Sequence, residues 1–209
     1  MTRHPNDPSD LQNPCDRNVI DDRLSHSEEY FRAMYGSRVD PWGFDRRWYE
    51  RRKQEATLAA LPRLRYRHGL EPGCANGTLT ERLANRCDRL TAFDAIPDVV
   101  ERAARRLPQS EVTVLRASFP TFWPGESVDL IVWSEIAYYL TEEGRHVAAE
   151  GVGRWLEDGG HLVAVHYLGE TNYPSTGTAV GEWIDAFPEL ERLSRWTDPM
   201  FEIGVWERT

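Results

Sequence analysis

The stretch that decides the fold is LEPGCANG, residues 70–77. It follows an alternating run, RYRHGLE (65–71), and precedes a helical run, TLTERLANR (78–86). A glycine turn between a strand and a helix aims backbone N–H groups at the helix N-terminus, the arrangement that holds a nucleotide. The alternation continues downstream. RLTAFDAI (89–96) reads as a strand and PDVVERAARRL (97–107) as a helix with Pro97 in its first turn. EVTVLRA (111–117) and SVDLIVWSE (127–135) read as strands three and four. TEEGRHVAAEGVGRWLEDGG (141–160) reads as a helix stopped by Gly159 and Gly160, and HLVAVHYLG (161–169) as a fifth strand. Strands alternating with helices imply a mostly parallel sheet covered on both faces.

The flanks extend this frame. Upstream, SEEYFRAMYGS (27–37) is helical with Ser27 as its cap, and DPWGFDRRWYERRKQEATLAAL (40–61) opens with a turn and runs as a long helix to Pro62. Downstream, ETNYPSTGT (170–178) is a polar loop and AVGEWIDAF (179–187) a short helix. ELERLSRW (189–196) and MFEIGVWER (200–208) are two strands joined by TDP (197–199), short enough for an antiparallel hairpin. The expected fold is therefore α/β and Rossmann-like, with seven strands, a mostly parallel sheet, helices on both faces and an antiparallel C-terminal hairpin. Residues 25–209 form one domain. The polar, proline-containing residues 1–24 are expected to be a disordered tail.

Composition narrows the function. The 209 residues carry a net charge of −9, which argues against binding a nucleic-acid backbone. The positive charge is arginine except for Lys53, a bias that reads as codon usage. Cys15, Cys74 and Cys87 form no CxxC pair, so neither a disulfide framework nor a metal site is expected. No apolar run approaches the ~20 residues that span a bilayer, and the N-terminus lacks a secretory h-region. A cytoplasmic location is expected.

The turn itself discriminates among nucleotides. A dinucleotide fingerprint needs three glycines, but only Gly73 and Gly77 fit, with Ala75 between them. No lysine follows, which excludes a Walker A loop. Glu71, two residues before the first glycine, repels a pyrophosphate and attracts an ammonium. Asp94 ends the second strand about 20 residues beyond the turn, where an acid accepts ribose hydroxyls. After the third strand, Ser118 suits an adenine edge and Phe119 an adenine face. Together these features suit S-adenosyl-L-methionine, whose amino-acid end carries an ammonium and whose sulfonium is cationic.

The order of these features, followed by VDLIVWSEIAYYL and LEDGGHLVAV, resembles the class I S-adenosylmethionine-dependent methyltransferases over about residues 66–168. The resemblance assigns cofactor contacts to Glu71, Gly73, Cys74, Gly77, Asp94, Ala95, Ser118, Phe119, Ser134 and Glu135. Ala75 departs from it, since many members carry glycine there. The stretches DPWGFDRRWYERRK and LEPGCANGTLTERLA, and the total length, are similar to the nodulation-factor N-methyltransferases of rhizobia along almost the whole chain. That likeness implies methyl transfer to the free amine of the non-reducing glucosamine of a deacetylated chitooligosaccharide. It also implies that residues 25–62 fold over the cofactor as a lid, bringing Trp42 and Arg52 to it. Two other readings stand beside this one: a methyltransferase for a small amine, thiol or carboxyl, and a non-catalytic module that binds S-adenosylmethionine. The oligomeric state is not legible.

For the acceptor, the candidates are the groups at the strand ends. Glu135 follows the fourth strand, Tyr138 comes just after it, and His166 lies near the end of the fifth. Each is suited to hold the acceptor ammonium or take its proton. Each also has a plainer reading: Glu135 as a cofactor contact or cap, His166 as a hydrogen-bonded structural histidine, Tyr138 as a core residue. Trp42 and Trp123 lie near the expected mouth and offer flat faces to a sugar, whereas Trp133 sits in a buried strand. The loop 169–178, with Glu170, suits a cover or part of a groove.

Overall fold

A computed structural model describes residues 21–26, 28–37, 40–107 and 110–209. Ser27, Cys15 and most of the expected tail lie outside the described residues. Two helices come first, α1 (Glu28–Ser37) and α2 (Trp48–Ala60). Strand β1 (Tyr66–Pro72), helix α3 (Thr78–Ala84), strand β2 (Cys87–Asp94), helix α4 (Pro97–Arg106) and strand β3 (Val112–Arg116) follow. Then come β4 (Val128–Ser134), α5 (Glu142–Trp155), β5 (Leu156–Tyr167), α6 (Gly177–Asp185), β6 (Leu190–Thr197) and β7 (Phe201–Arg208).

The seven strands form one sheet in the order β3-β2-β1-β4-β5-β7-β6. The first five pair in parallel, and β7 pairs antiparallel with both β5 and β6. Strand order reverses between β1 and β4, so the carboxyl ends of those two strands flank the crevice where such sheets take ligands.

The strand pattern explains the layers. Successive side chains of β4 point to opposite faces. Leu130 and Val132 join one core with Leu79 and Leu83 of α3 and Ala103 of α4. Ile131 and Trp133 join the other with Ala148 and Val152 of α5 and Val180 and Ile184 of α6. All four β4 side chains are buried, which is why the segment reads as a continuous apolar run. Each such side chain contributes roughly 1.5–3 kcal/mol on burial. Trp133 stacks on Trp183 at 5.8 Å between ring centroids, a packing role.

One boundary differs from expectation. The LEDGG stretch belongs to β5, not to the preceding helix: α5 stops at Trp155 and Leu156 pairs with Val128. The register then shifts, with Leu130 opposite His161. Gly159, at φ +73°, absorbs the irregularity. The two glycines thus shape a strand bulge and do not end a helix. Among the described residues no helix is long and apolar enough to cross a membrane.

Candidate functional site

The loop after β1 carries the backbone strain of the molecule's main crevice. Gly73 (φ +68°), Ala75 (φ +49°) and Gly77 (φ +79°) all adopt left-handed conformations. For Ala75 this conformation costs roughly 1–2 kcal/mol, so the surroundings must hold it. Asp94 supplies that hold. Its Oδ2 accepts the Ala75 N–H at 3.1 Å and its Oδ1 accepts the Ile96 N–H at 3.0 Å. The carboxylate at the end of β2 therefore fastens both βα loops that rim the crevice. Gly77 caps α3 in the left-handed conformation, and a Cβ there would meet Leu107 and Ala103 of the α4 segment at 3.0–3.3 Å.

The two acids of this corner, buried Glu71 and half-buried Asp94, are electrostatically frustrated. Glu71 is 2 % exposed, and its Oε2 has no hydrogen-bond partner. Burial pushes its carboxyl up to about 8. Burial also raises Asp94, against the lowering by its backbone N–H donors. An orphaned carboxylate oxygen at the foot of a cleft is a place for a cationic or hydrogen-bond-donating ligand.

The second wall is built by the end of β4 and by α2. Glu135 is in the left-handed region at φ +54°; it and Ala75 are the non-glycine residues with positive φ among those described. Both line the cleft. The Lys53 ammonium lies 2.8 Å from Glu135 Oε2 and 2.9 Å from Glu50 Oε2. The Tyr49 hydroxyl donates to Glu135 Oε1 at 3.3 Å. Burial lowers the Lys53 ammonium, but Glu135 and Glu50 outweigh it and leave it raised. Glu50 is raised by burial, with Lys53 opposing. Gln54, one turn after Glu50, is 4 % exposed and its Oε1 lacks a partner.

These two walls bound one cleft. Of the residues expected at the site, Glu71, Gly73, Cys74, Asp94 and Ala95 line it from the first two loops. Phe119, Ser134, Glu135 and Tyr138 line it from beyond β3 and β4, and Trp42 from the N-terminal segment. That segment is docked: Asp45 pairs with Arg106 at 2.8 Å and accepts from Asn76 Nδ2 at 3.2 Å.

Four expected residues are not brought to the cleft. Gly77 works from behind the loop, as a cap. Ser118 is buried outside the lining, with an unpartnered hydroxyl. Arg52 turns away: its guanidinium pairs with Asp198 and lies over the Phe201 ring, tying α2 to the β6–β7 hairpin. His166 is buried outside the lining, and its Nε2 accepts the Ala137 N–H at 3.3 Å. Burial, with help from the Lys53 charge, lowers its pKa to about 3. It is a neutral structural acceptor holding the turn after β4. Tyr138 lines the cleft but is raised well above an ordinary phenol by burial, so it offers a hydroxyl and not a base. Trp123 packs on Gly151 of α5 and takes no part in the mouth.

The family model for nodulation protein S (NodS) matches residues 32–164, more than half of the chain. The chain belongs to the nodulation protein S family. Nodulation protein S of Rhizobium tropici is 35 % identical over 127 residues, covering 59 % of this chain and 53 % of that one. The protein from Bradyrhizobium diazoefficiens is 36 % identical over 109 residues, covering 49 % and 50 %. The chain thus spans about half the length of these curated relatives. The solved N-methyltransferase NodS of Bradyrhizobium japonicum WM9, in complex with S-adenosyl-L-homocysteine, is 26 % identical. It aligns over 86 % of this chain and 97 % of its own, with a TM-score of 0.73. A Pseudomonas syringae structure assigned as a methyltransferase is 39 % identical over 78 % of this chain and all of that one, at a TM-score of 0.69. The Rossmann-like class I methyltransferase fold is shared with these structures.

Within this nodulation protein S family member, the long-helix segment was expected to reach the cofactor through Arg52, but the residues of α2 that line the cleft are Glu50, Lys53 and Gln54. The signal was present: in a chain with otherwise only arginine, the single lysine is the buried cation of the cleft.

Proposed function

We propose that this chain is an S-adenosyl-L-methionine-dependent N-methyltransferase. Its acceptor is the free amine of the non-reducing glucosamine of a deacetylated chitooligosaccharide, in nodulation-factor synthesis. The observation that carries this reading is the buried Glu71 at the end of β1, beside the β1/β4 switch point, with Asp94 at the neighbouring end of β2. The donor set fits the cofactor. Glu71 would take its ammonium, Asp94 its ribose hydroxyls, and Ala95 and Phe119 its adenine. When bound, the cofactor supplies an electrophilic methyl on a sulfonium.

The chain's own residues do the rest. Glu135, at the strained end of β4, faces the same cleft and is placed to take a proton from an acceptor ammonium. Phe31, Tyr35, Trp42 and Phe44 line the cleft from the N-terminal segment and exclude water from it, the role of a lid. Ordering the acceptor nitrogen against the methyl group supplies most of the rate, because the reaction needs little more than alignment.

The test is transfer of a labelled methyl group from S-adenosylmethionine to deacetylated and to fully acetylated chitooligosaccharides. Label on the free amine alone supports the reading. Label on both, or only on a small amine, thiol or carboxyl, rejects the acceptor. Cofactor binding with no transfer to any of them rejects catalysis.

A further inference from the structure

We infer that Glu50, Lys53 and Glu135 form the recognition site for the acceptor's ammonium, with Gln54 as a neighbouring hydrogen-bond partner. The inference rests on the reading of the chain as an amine methyltransferase and assigns the residues that select the amine.

Charge is the first argument. The cluster holds two carboxylates and one ammonium, all in the cleft, with Glu50 at 3 % and Lys53 at 2 % relative exposure. With both carboxylates ionised the cluster carries one net negative charge toward the cavity, and a single cationic group neutralises it. Away from bulk water an unbalanced charge is costly, so an incoming ammonium gains more beside the buried Glu50 and Lys53 than in water. A neutral N-acetyl group gains nothing and leaves the imbalance in place. The cluster therefore discriminates the free amine from its acylated form by charge.

The second argument is independent of charge. Gln54 is buried in the same wall, and its Oε1 has no partner within the protein. It is an acceptor prepared for an N–H or O–H that the chain does not provide. An aminosugar carries such donors beside its amine.

The third argument is rigidity. Lys53 is held on both sides, lies 4.9 Å from the centre of the Tyr49 ring, and cannot swing to solvent. It lies between the two carboxylates and keeps them apart. Once the ammonium is seated, passage of one of its protons to a carboxylate leaves a neutral amine and a neutral acid. The total charge of the assembly does not change in that step.

The experiment measures binding, not turnover, in protein saturated with S-adenosyl-L-homocysteine. Three probes are titrated calorimetrically: a glucosamine-terminated chitotetraose, its fully acetylated counterpart, and ethanolamine. The unmodified protein is expected to bind the free-amine sugar at least tenfold more tightly than the acetylated one. Glu50→Gln, which preserves shape and removes the net charge, is expected to abolish that preference while leaving the affinity for S-adenosyl-L-homocysteine unchanged. Equal binding of the two sugars by the unmodified protein overturns the inference without need of any variant. So does a preference that survives Glu50→Gln in folded protein. If only ethanolamine binds, and Glu50→Gln weakens it, the ammonium site stands and the sugar acceptor falls.

Discussion

The buried Glu71 carboxyl makes a quantitative prediction about cofactor binding. Its pKa of about 8 means that at pH 7 it is ionised in only about one molecule in ten of the ligand-free protein. A ligand ammonium beside it requires the ionised form. Ionising it at pH 7 costs about 1.4 kcal/mol, so affinity for S-adenosyl-L-homocysteine at pH 7 should be about tenfold lower than it would be with Glu71 fully ionised. Binding at pH 7 should release about one proton. Calorimetry in two buffers of different ionisation enthalpy reads that proton directly. Two controls isolate it. Glu71→Gln should bind more weakly and release none, and methylthioadenosine, which lacks the ammonium, should release none from the unmodified protein. A heat of binding at pH 7 that is independent of buffer would refute the reasoning. The same shift bears on stability. Because the folded pKa lies above the unfolded value of about 4.5, the stability contributed by the protonated form is complete below pH 4.5 and lost as pH rises through about 8. Glu71→Gln should therefore gain most in melting temperature, relative to the unmodified protein, at pH 8 and above.

The other predictions test neighbouring parts of the site. Asp94→Asn should weaken S-adenosyl-L-homocysteine by roughly 1.5–3 kcal/mol, about 10- to 150-fold, through loss of charge-assisted hydrogen bonds; calorimetry showing less than a twofold change would remove Asp94 from the ribose. His166→Leu should cost roughly 1–3 kcal/mol of folding stability by orphaning the Ala137 N–H, while cofactor affinity is kept; denaturant titration and binding measured side by side separate the two. Ala75→Gly should relieve the left-handed strain and raise stability by about 1 kcal/mol, read from the same titration. Arg52→Ala should cost roughly 1–3 kcal/mol of stability by leaving the buried Asp198 carboxylate without its charged partner, and leave cofactor affinity unchanged, because the pair lies outside the cleft.

The parallel part of the sheet was legible because β4 and the second half of β5 are apolar runs, because β1 and β2 lie between helical runs and turn residues, and because Asp94 stands at the end of its strand. The β6–β7 hairpin was legible from two strand-like runs with a three-residue join. Local sequence failed where tertiary pairing overrode it. Leu156 continues a helical pattern, yet Val128 claims it for the sheet. Side-chain direction was also beyond reach. Arg52 and Lys53 are adjacent, but one faces Asp198 on the hairpin and the other Glu135 in the cleft. His166 lies within a buried strand, and nothing local shows that its ring turns to Ala137. The loop after β1 was legible as a glycine turn, and the structure adds its left-handed strain at Ala75 and what holds it, the two backbone N–H groups on Asp94.

The most direct measurement is a crystal structure of the protein grown with S-adenosyl-L-homocysteine. The account predicts the ligand in the cleft at the ends of β1 and β4, its amino group against Glu71 and its ribose hydroxyls on Asp94. A ligand bound elsewhere, or seated there with neither carboxylate within hydrogen-bond reach, would contradict it.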